Sequence, residues 1–340
     1  MNLKTKGITL AICTHNGRKK IKKTLSYILA QEVSPEIAWE LLVIDNASTD
    51  STARLVRDLT GEQTKFNIRI IRENKLGAIH ARLRALKEAK FTYLSYVDDD
   101  NWISSNWVKE IYNIFESYPS VGIISCPSKA NLSEEPPSYF EDFKGWLAVG
   151  KRCNKHGIIE ERPMSFWTAG LSLRLEAFDS LSNLSHSFCL AGRTGKQTYG
   201  GEDHEICLTL TLMGWKIYYS YNIYFIHDIP SYRLSISYLE RVIQNGGKSK
   251  SILDIYRNEY WQKTFYHPYF SILEYFINWL NRGIRYWLKL LLGYTKSPLH
   301  PNRVSYLHAI GRLQGYFIHF KKIPIVQQNI KTLKAVQNSH

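Results

Sequence analysis

The chain has 340 residues, 44% of them hydrophobic and 13% aromatic, a length that predicts one large domain with an appendage or two domains, and a composition that excludes a disordered chain. Its net charge of +14 is uneven: residues 231 to 340 hold 16 Lys/Arg against 4 Asp/Glu. A basic end expects an anionic partner, whether a phospholipid surface, a polyanionic glycan or nucleic acid. The five cysteines (Cys13, Cys126, Cys153, Cys189, Cys207) form no C-x-x-C pair, which argues against a zinc site and a disulfide framework. The apolar stretch in "MNLKTKGITLAIC" is too short for a secretory signal, and no uncharged apolar run reaches about 20 residues. The expected setting is a reducing cytoplasm.

In chain order, "ITLAIC" (8–13), "ELLVID" (40–45), "NIRIIR" (67–72), "YLSYV" (93–97) and "VGIIS" (121–125) read as strands. Helical patterns fall near 18–31, 50–60, 78–90 and 104–117, the second introduced by the cap-rich "NASTD" and the third by Gly77. This alternation predicts an α/β fold with right-handed crossovers and a mostly parallel sheet. "THNG", "DNASTD" and "DDDN" all stand at the carboxyl ends of strands, where such sheets bind ligands. Residues 126 to 165 read as loop-rich. A second alternating region follows: "FWTAGLSLR" (166–174), a polar loop at 191–201, a helix from Glu202 to about Met213, and "WKIYYSYNIYFIHDIP". Beyond residue 235 the pattern is helical and aromatic. Residues 272 to 294 mix Phe276, Trp279, Leu280, Trp287 and Leu291 with Arg282, Arg285 and Lys289, which fits an interfacial helix and equally a helix packed on its own domain.

Three consecutive carboxylates at 98 to 100 repel one another, by roughly 4 kcal/mol for a pair about 4 Å apart at an effective dielectric near 20. An acidic turn in water relieves this, and so does a cation. Held by one or two carboxylates and substrate phosphates, Mg²⁺ or Mn²⁺ suits Asp98 and Asp100, with Asp99 left for a hydroxyl or a backbone cap. In "GGEDHEIC" (200–207), Glu202 and Asp203 open a helix, where N-capping accounts for one acid and a general base for the other. Glu205 points elsewhere on that helix, as a structural partner. His227, read as following an apolar strand, is either structural or a metal ligand. Thr14, His15, Asn16, Asp45 and Asn46 are short polar groups suited to a base or ribose. No G-x-G-x-x-G follows the first strand and no P-loop motif occurs, which argues against dinucleotide and P-loop chemistry.

Taken in order, "ITLAICTHNGRKKIKKTLSYILAQ", "LLVIDNASTDST", "NKLGAIHARLRAL", "YLSYVDDDNW" and "GGEDHEICLTLTLMGWKIYY" resemble the successive motifs of inverting family 2 glycosyltransferases of the GT-A fold, over about residues 7 to 245. "EEPPSYFEDFKGWLAVG", "TAGLSLR" and "HDIPSYRLSISYLERV" resemble a bacterial branch tied to exopolysaccharide or surface-glycan assembly. The resemblance implies a GT-A domain over 1–245, with a nucleotide-binding half to about 125 and an acceptor half from 126; residues 246–340 read, by composition, as a basic, aromatic-rich helical extension for a membrane surface or oligomerisation. It implies that Thr14, Asn16, Asp45, Arg82 and Asp98 contact the nucleotide of a nucleoside-diphosphate sugar, most often uridine. Asp98 and Asp100 occupy the ends of the D-x-D motif, His227 completes the coordination of Mn²⁺ or Mg²⁺, and Asp203 is the catalytic base. Trp167, Gly170 and Glu202 fall about the sugar and acceptor, Trp167 as a platform or as a core residue. His15 departs from the pattern, Tyr being commoner there. The acceptor implied is a glycan or lipid-linked glycan, with no nucleic acid; peripheral contact at the inner face of an anionic cytoplasmic membrane is expected from the basic, aromatic tail instead. A nucleotidyltransferase and a non-catalytic glycan- or nucleic-acid-binding protein are the competing readings.

Overall fold

The computed structural model describes residues 4–61, 66–160, 164–184, 186–190, 192, 199–260, 268–292 and 300–337. The first half alternates as expected: β1 (Thr5–Thr14), α1 (Ile21–Leu29), β2 (Trp39–Asn46), α2 (Thr52–Thr60), β3 (Asn67–Glu73), α3 (Ala78–Glu88) and β4 (Phe91–Asp98). Next come β5 (Asn101–Ile103), α4 (Trp107–Ser117), β6 (Val121–Ser125), β7 (Ser128–Leu132), α5 (Phe140–Phe143), β8 (Gly157–Ile159), β9 (Ser172–Arg174), α6 (Glu176–Asn183), α7 (Glu202–Leu212), β10 (Lys216–Tyr219) and β11 (Phe225–Ile229). The chain continues through α8 (Ile236–Tyr260), α9 (Pro268–Leu291), α10 (Pro301–His319) and α11 (Ile323–Gln337).

Eight strands form the main sheet in the order β3-β2-β1-β4-β9-β6-β10-β8, and β5-β11-β7 form a second. Strands β1 to β4 are parallel, whereas β9 runs antiparallel to both β4 and β6. Alternation along β1 divides the core. Ile8, Leu10 and Ile12 face a layer containing Ile21, Val56 and Trp107 of α1, α2 and α4. Ala11 faces the opposite layer with Ala81 and Ala85 of α3 and Ile206 and Leu210 of α7. Helices on both faces explain the unbroken apolar run Leu41–Ile44 of β2, all buried. Each such side chain contributes about 1.5–3 kcal/mol on burial.

Register creates the rim. Thr14 pairs with Asp45 and Cys13 with Asp98, so the polar ends of β1, β2 and β4 finish level with one another. The loop-rich reading of 126–165 missed β7 and β8. Both are short, and β7 is half exposed in a three-stranded sheet, so neither shows an apolar period. "FWTAGLSLR" keeps only its last three residues as strand, because Gly170 turns the chain at φ +76°. His227 is the central residue of β11 rather than following a strand, and it pairs with Asn101.

Residue 245, the expected end of the first domain, lies in the middle of α8. Helices α8 and α10 cross backbone against backbone: a Cβ at Gly247, Gly311 or Gly315 would collide with the carbonyl oxygens of His308, Gln244 and Lys248 respectively. Helix α9 rests on α10 through Trp279 and Tyr286, both stacked on Tyr306. None of the described helices is long and apolar enough to cross a membrane.

Candidate active site

The three acidic side chains at the end of β4 have separate partners. Asp98 Oδ1 lies 4.0 Å from Arg82 Nη2. Asp99 accepts the Thr14 hydroxyl at 2.6 Å and lies 3.7 Å from Lys20 Nζ. Asp100 is ringed by Lys20 at 3.4 Å, Arg233 at 3.6 Å and His227 Nε2 at 3.8 Å. Gly17 fits only as glycine beside this cluster, since a Cβ there would collide with the Thr14 hydroxyl. Burial, with Asp100, Asp99 and Asp203 adding to it, pushes the Asp98 carboxyl up to about 6 against the pull of Arg82. Burial would raise Asp100 too, but His227 in its protonated form, and Lys20 and Arg233 throughout, hold it below the usual carboxylate range. Repulsion at the triple acid is thus relieved mainly by cations from the residue preceding α1, from α3 and from the turn after β11.

Two cavities meet here. The smaller, about 340 Å³, is lined by Thr14, His15, Asn46, the Leu76–Ala78 segment, Arg82 and Asp98. Asn46 shapes it, accepting the Gly77 N–H at 2.8 Å and donating to the Lys75 carbonyl at 2.8 Å. The larger, about 740 Å³, shares Ala78, Arg82 and Asp98 and runs past Asp100, Trp167, Thr168, Glu202, Asp203, His227 and Arg233 to α8. Arg82 is the hinge between them, ion-paired with Glu202 of α7 and facing Asp98.

Asp203 lines the larger cavity. Its Oδ1 accepts the His204 N–H at 2.8 Å and its Oδ2 the Thr168 N–H at 3.3 Å, which fixes the carboxylate at the helix start. Trp167 is half-buried, with the Arg152 guanidinium 5.1 Å from its ring centre. It therefore both packs and lines the cavity.

Several expected contacts are engaged differently. The side-chain oxygen of Asn16 accepts the N–H groups of Thr49 at 2.8 Å and Asp50 at 3.3 Å, clamping the β2–α2 loop. Asp45 is buried beneath Arg72 at 2.8 Å and caps Ser48 N–H at 3.2 Å, so its carboxylate is paired before any nucleotide arrives. Gly170 packs behind the wall, where a Cβ would meet Phe225 and Trp107; Ala169 lines the cavity instead. Glu202 holds Arg82 through Oε1, and its Oε2 is buried without a hydrogen bond. Glu205 accepts from Cys189 N at 2.9 Å, Leu190 N at 2.7 Å and the Tyr256 hydroxyl at 3.0 Å, a structural role as expected. Sequence reasoning missed Lys20, Arg233, Arg152, Lys250 and Arg257. Only Arg233 carried a local signal, standing six residues beyond His227.

A divalent ion fits the donor chemistry. His227 Nδ1 lies 2.8 Å from the Leu147 carbonyl, which assigns it the proton and leaves Nε2 as the atom turned toward Asp100. Burial lowers the His227 pKa despite Asp100, favouring the neutral ligand form. Among the described residues no three acidic, His or Cys side chains converge on one point, so further positions would fall to diphosphate oxygens and water, the usual arrangement for Mg²⁺.

Two family models match the chain: Glycosyl transferase family 2 over residues 9–161 and Glycosyl transferase family group 2 over residues 93–319. The chain belongs to the family 2 glycosyltransferases. It is 25% identical over 136 residues to the poly(ribitol-phosphate) beta-N-acetylglucosaminyltransferase TarS of Staphylococcus aureus, a match spanning 39% of this chain and only 23% of that protein. It is 24% identical over 236 residues to the succinoglycan biosynthesis protein ExoM of Rhizobium meliloti, 69% of this chain and 71% of that one. The fold is shared with the mannosyltransferase PcManGT from Pyrobaculum calidifontis, solved with GDP-Man and Mn²⁺, at TM-score 0.50 and 16% identity over 99% of this chain and 76% of that one. The α/β architecture is therefore of the GT-A kind, followed by helices.

Proposed function

We propose that the chain is a metal-dependent, inverting glycosyltransferase. It moves a sugar from a UDP-sugar to a hydroxyl of a glycan or lipid-linked glycan in bacterial surface-polysaccharide synthesis. The observation that carries this is the placement of Asp203 in the same 740 Å³ cavity as Asp98 and Asp100, with a 340 Å³ side cavity opening off Asp98. A base, ribose and diphosphate need such an L-shaped space, and an acceptor must approach the sugar from the side opposite the diphosphate. Family membership sets the nucleotidyltransferase reading aside.

The uracil and ribose occupy the smaller cavity between His15, Asn46 and Leu76. Thr14 reaches this cavity, whereas Asn16 and Asp45 support its walls from behind. Asp98 and Arg82 stand where the diphosphate turns into the larger cavity. Mn²⁺ or Mg²⁺ held by Asp100 and His227, with Asp98 at its edge, would offset the charge growing on the departing diphosphate. Lys20 and Arg233 add fixed positive charge beside Asp100. Across the cavity Asp203, oriented by two backbone N–H groups, takes the proton of the acceptor hydroxyl as that oxygen attacks the anomeric carbon. Attack on the face opposite the leaving group inverts the centre without a sugar–enzyme bond. Trp167, Thr168 and Glu202 surround the sugar and acceptor, Glu202 by way of Arg82.

The test is UDP release from a panel of UDP-sugars, with Asp203→Asn as the control. The variant should keep UDP affinity and lose turnover by about a hundredfold or more. Full turnover in Asp203→Asn removes this residue from the chemistry. No binding of UDP, with GDP bound instead, replaces the donor.

A second feature supports contact with an anionic membrane surface. Leu273, Phe276, Ile277, Leu280, Ile284, Trp287, Leu288 and Leu291 form one exposed stripe on α9, at the spacing of a single helical face. Arg282, Arg285 and Lys289, also exposed, lie on the same helix.

A further inference from the structure

The wall of the larger cavity beyond Asp203 is built by α8, and it is cationic. Arg152, Lys250 and Arg257 all line the same cavity as Asp203. One carboxylate serves Lys250, Arg257 and Arg312 of α10: Asp254 lies 3.5 Å from Lys250, 3.6 Å from Arg257 and 2.6 Å from Arg312. Arg152 and Arg257 converge on Ser165, at 3.2 Å from its carbonyl and 3.4 Å from its hydroxyl. Three cations thus share Asp254, and Arg152 stands beside them with no carboxylate of its own among the described residues. The other acids of the cavity have their own placements. Glu202 is taken by Arg82 and Asp100 by Lys20, His227 and Arg233; Asp98 faces Arg82, Asp203 bears the two backbone bonds, and Asp142 is exposed at the rim.

Like charges gathered in a partly buried wall repel, and a fold that keeps them has an anion to bind or a structural reason to hold them. The packing forces them together. The collisions that make Gly247, Gly311 and Gly315 obligatory bring α8 and α10 into backbone contact, which sets Arg312 against Asp254 one turn beyond Lys250. Burial, with the neighbouring arginines adding to it, holds Lys250 and Arg257 below their ordinary values despite Asp254. Some polar atoms in this part of the cavity also lack a hydrogen bond. Among the described residues, Nδ1 of His204, the Thr168 hydroxyl and Oε2 of Glu202 are buried without a hydrogen bond, and Nη1 of Arg257 has only its 3.6 Å ion pair with Asp254.

The geometry points to a phosphate-binding subsite in the acceptor half of the cleft, formed by Arg152, Lys250 and Arg257 with Arg312 behind them. The acceptor it fits carries a phosphate or diphosphate close to the hydroxyl that receives the sugar. Arginine forks recognise phosphate oxygens in pairs, and the excess of positive charge suits a multiply charged group better than a single carboxylate. This rests on the glycosyltransferase reading, since it names the acceptor class of that same site. Two sources share the chemistry: the diphosphate of a lipid-linked glycan and the phosphodiester of a polyol-phosphate polymer.

The experiment titrates the full chain, with its donor site filled by UDP, with farnesyl diphosphate, with an oligomer of glycerol phosphate and with farnesol. UDP affinity is measured first and separately, so its absence defeats the donor reading without touching this one. At least one phosphate probe should bind, weaken about tenfold or more in Lys250→Gln/Arg257→Gln, and weaken as salt shortens the screening length. Arg152→Gln, outside the Asp254 cluster, should weaken the same probe even if the double variant fails to fold. Preference for farnesyl diphosphate assigns the lipid-linked source, and preference for the oligomer assigns the polymer. Farnesol binding as tightly as its diphosphate, binding unchanged in Arg152→Gln, or no binding of either phosphate probe overturns the subsite.

Discussion

The imidazole Nε2 of His227 lies 3.8 Å from Oδ1 of Asp100, joining the second, three-stranded sheet to the acidic end of β4. Arg233 donates to the same Nε2 from 3.1 Å, and Lys20 approaches Asp100 from just before α1. The pair is therefore set among cations that attract a diphosphate with or without a metal. From this a paired expectation follows. In Mn²⁺, Asp100→Ala and His227→Ala each weaken UDP binding by about tenfold or more, near 1.4 kcal/mol. With chelator present, Asp100→Ala binds UDP at least as well as the wild type, because Lys20 and Arg233 lose their carboxylate partner. Calorimetry in both conditions reads this, and equal affinities in Mn²⁺ for all three proteins would remove the metal from this pair.

The rim was legible because chemistry and period coincide there. An apolar run buried on both faces must end where the sheet ends, so the polar residues that follow each run are forced to one edge. Thr14 and Asp98 stand at the ends of such runs, whereas Asp203 reads from the acidic start of a helix. Asp45 and Asn16 share that edge, but their partners were not visible. Asp45 is covered by Arg72, its register partner on β3, and a lone arginine in a strand pattern does not announce which carboxylate it meets. Asn16 sits at φ 52°, a local turn that aims its amide at the next loop. The cationic wall was harder still. Lys250 and Arg257 lie on α8 within a basic segment that reads as a surface. Only the close crossing with α10, permitted by three glycines, turns them toward the cavity.

The same long-range packing decides which face of α9 is free. Trp279 stacks against Tyr306 of α10, and Tyr275 is buried, whereas Phe276, Leu280, Ile284 and Trp287 are exposed. Phe276→Ser/Leu280→Ser/Ile284→Ser should therefore abolish flotation with phosphatidylglycerol liposomes. At about 1.5–3 kcal/mol for each buried side chain, the partition constant falls by at least about a hundredfold. Trp279→Ala should lower thermal stability and leave flotation nearly intact. Vesicles of phosphatidylcholine alone should bind less, since Arg282, Arg285 and Lys289 then lack a counter-charge. Equal flotation of wild type and triple variant would exclude this face as the anchor.

Glu205 makes the stability of the fold depend on pH in a defined direction. Its carboxylate accepts hydrogen bonds from Cys189, Leu190 and Tyr256, tying α7 to the segment at 189–190 and to α8. Burial nonetheless dominates and pushes its pKa from 4.5 to about 7. The folded state thus holds this proton more tightly than the unfolded chain does. Its contribution is fully present below about pH 4.5 and is lost as pH rises through about 7, a change on the order of 3 kcal/mol. Glu205→Gln keeps a side-chain oxygen for the two backbone N–H groups and removes the titration. Relative to the wild type, the variant's melting temperature should rise across pH 5 to 8, with most of the change between 5 and 7. Differential scanning calorimetry of both proteins reads the difference, and parallel curves across that window would show that Glu205 does not titrate there.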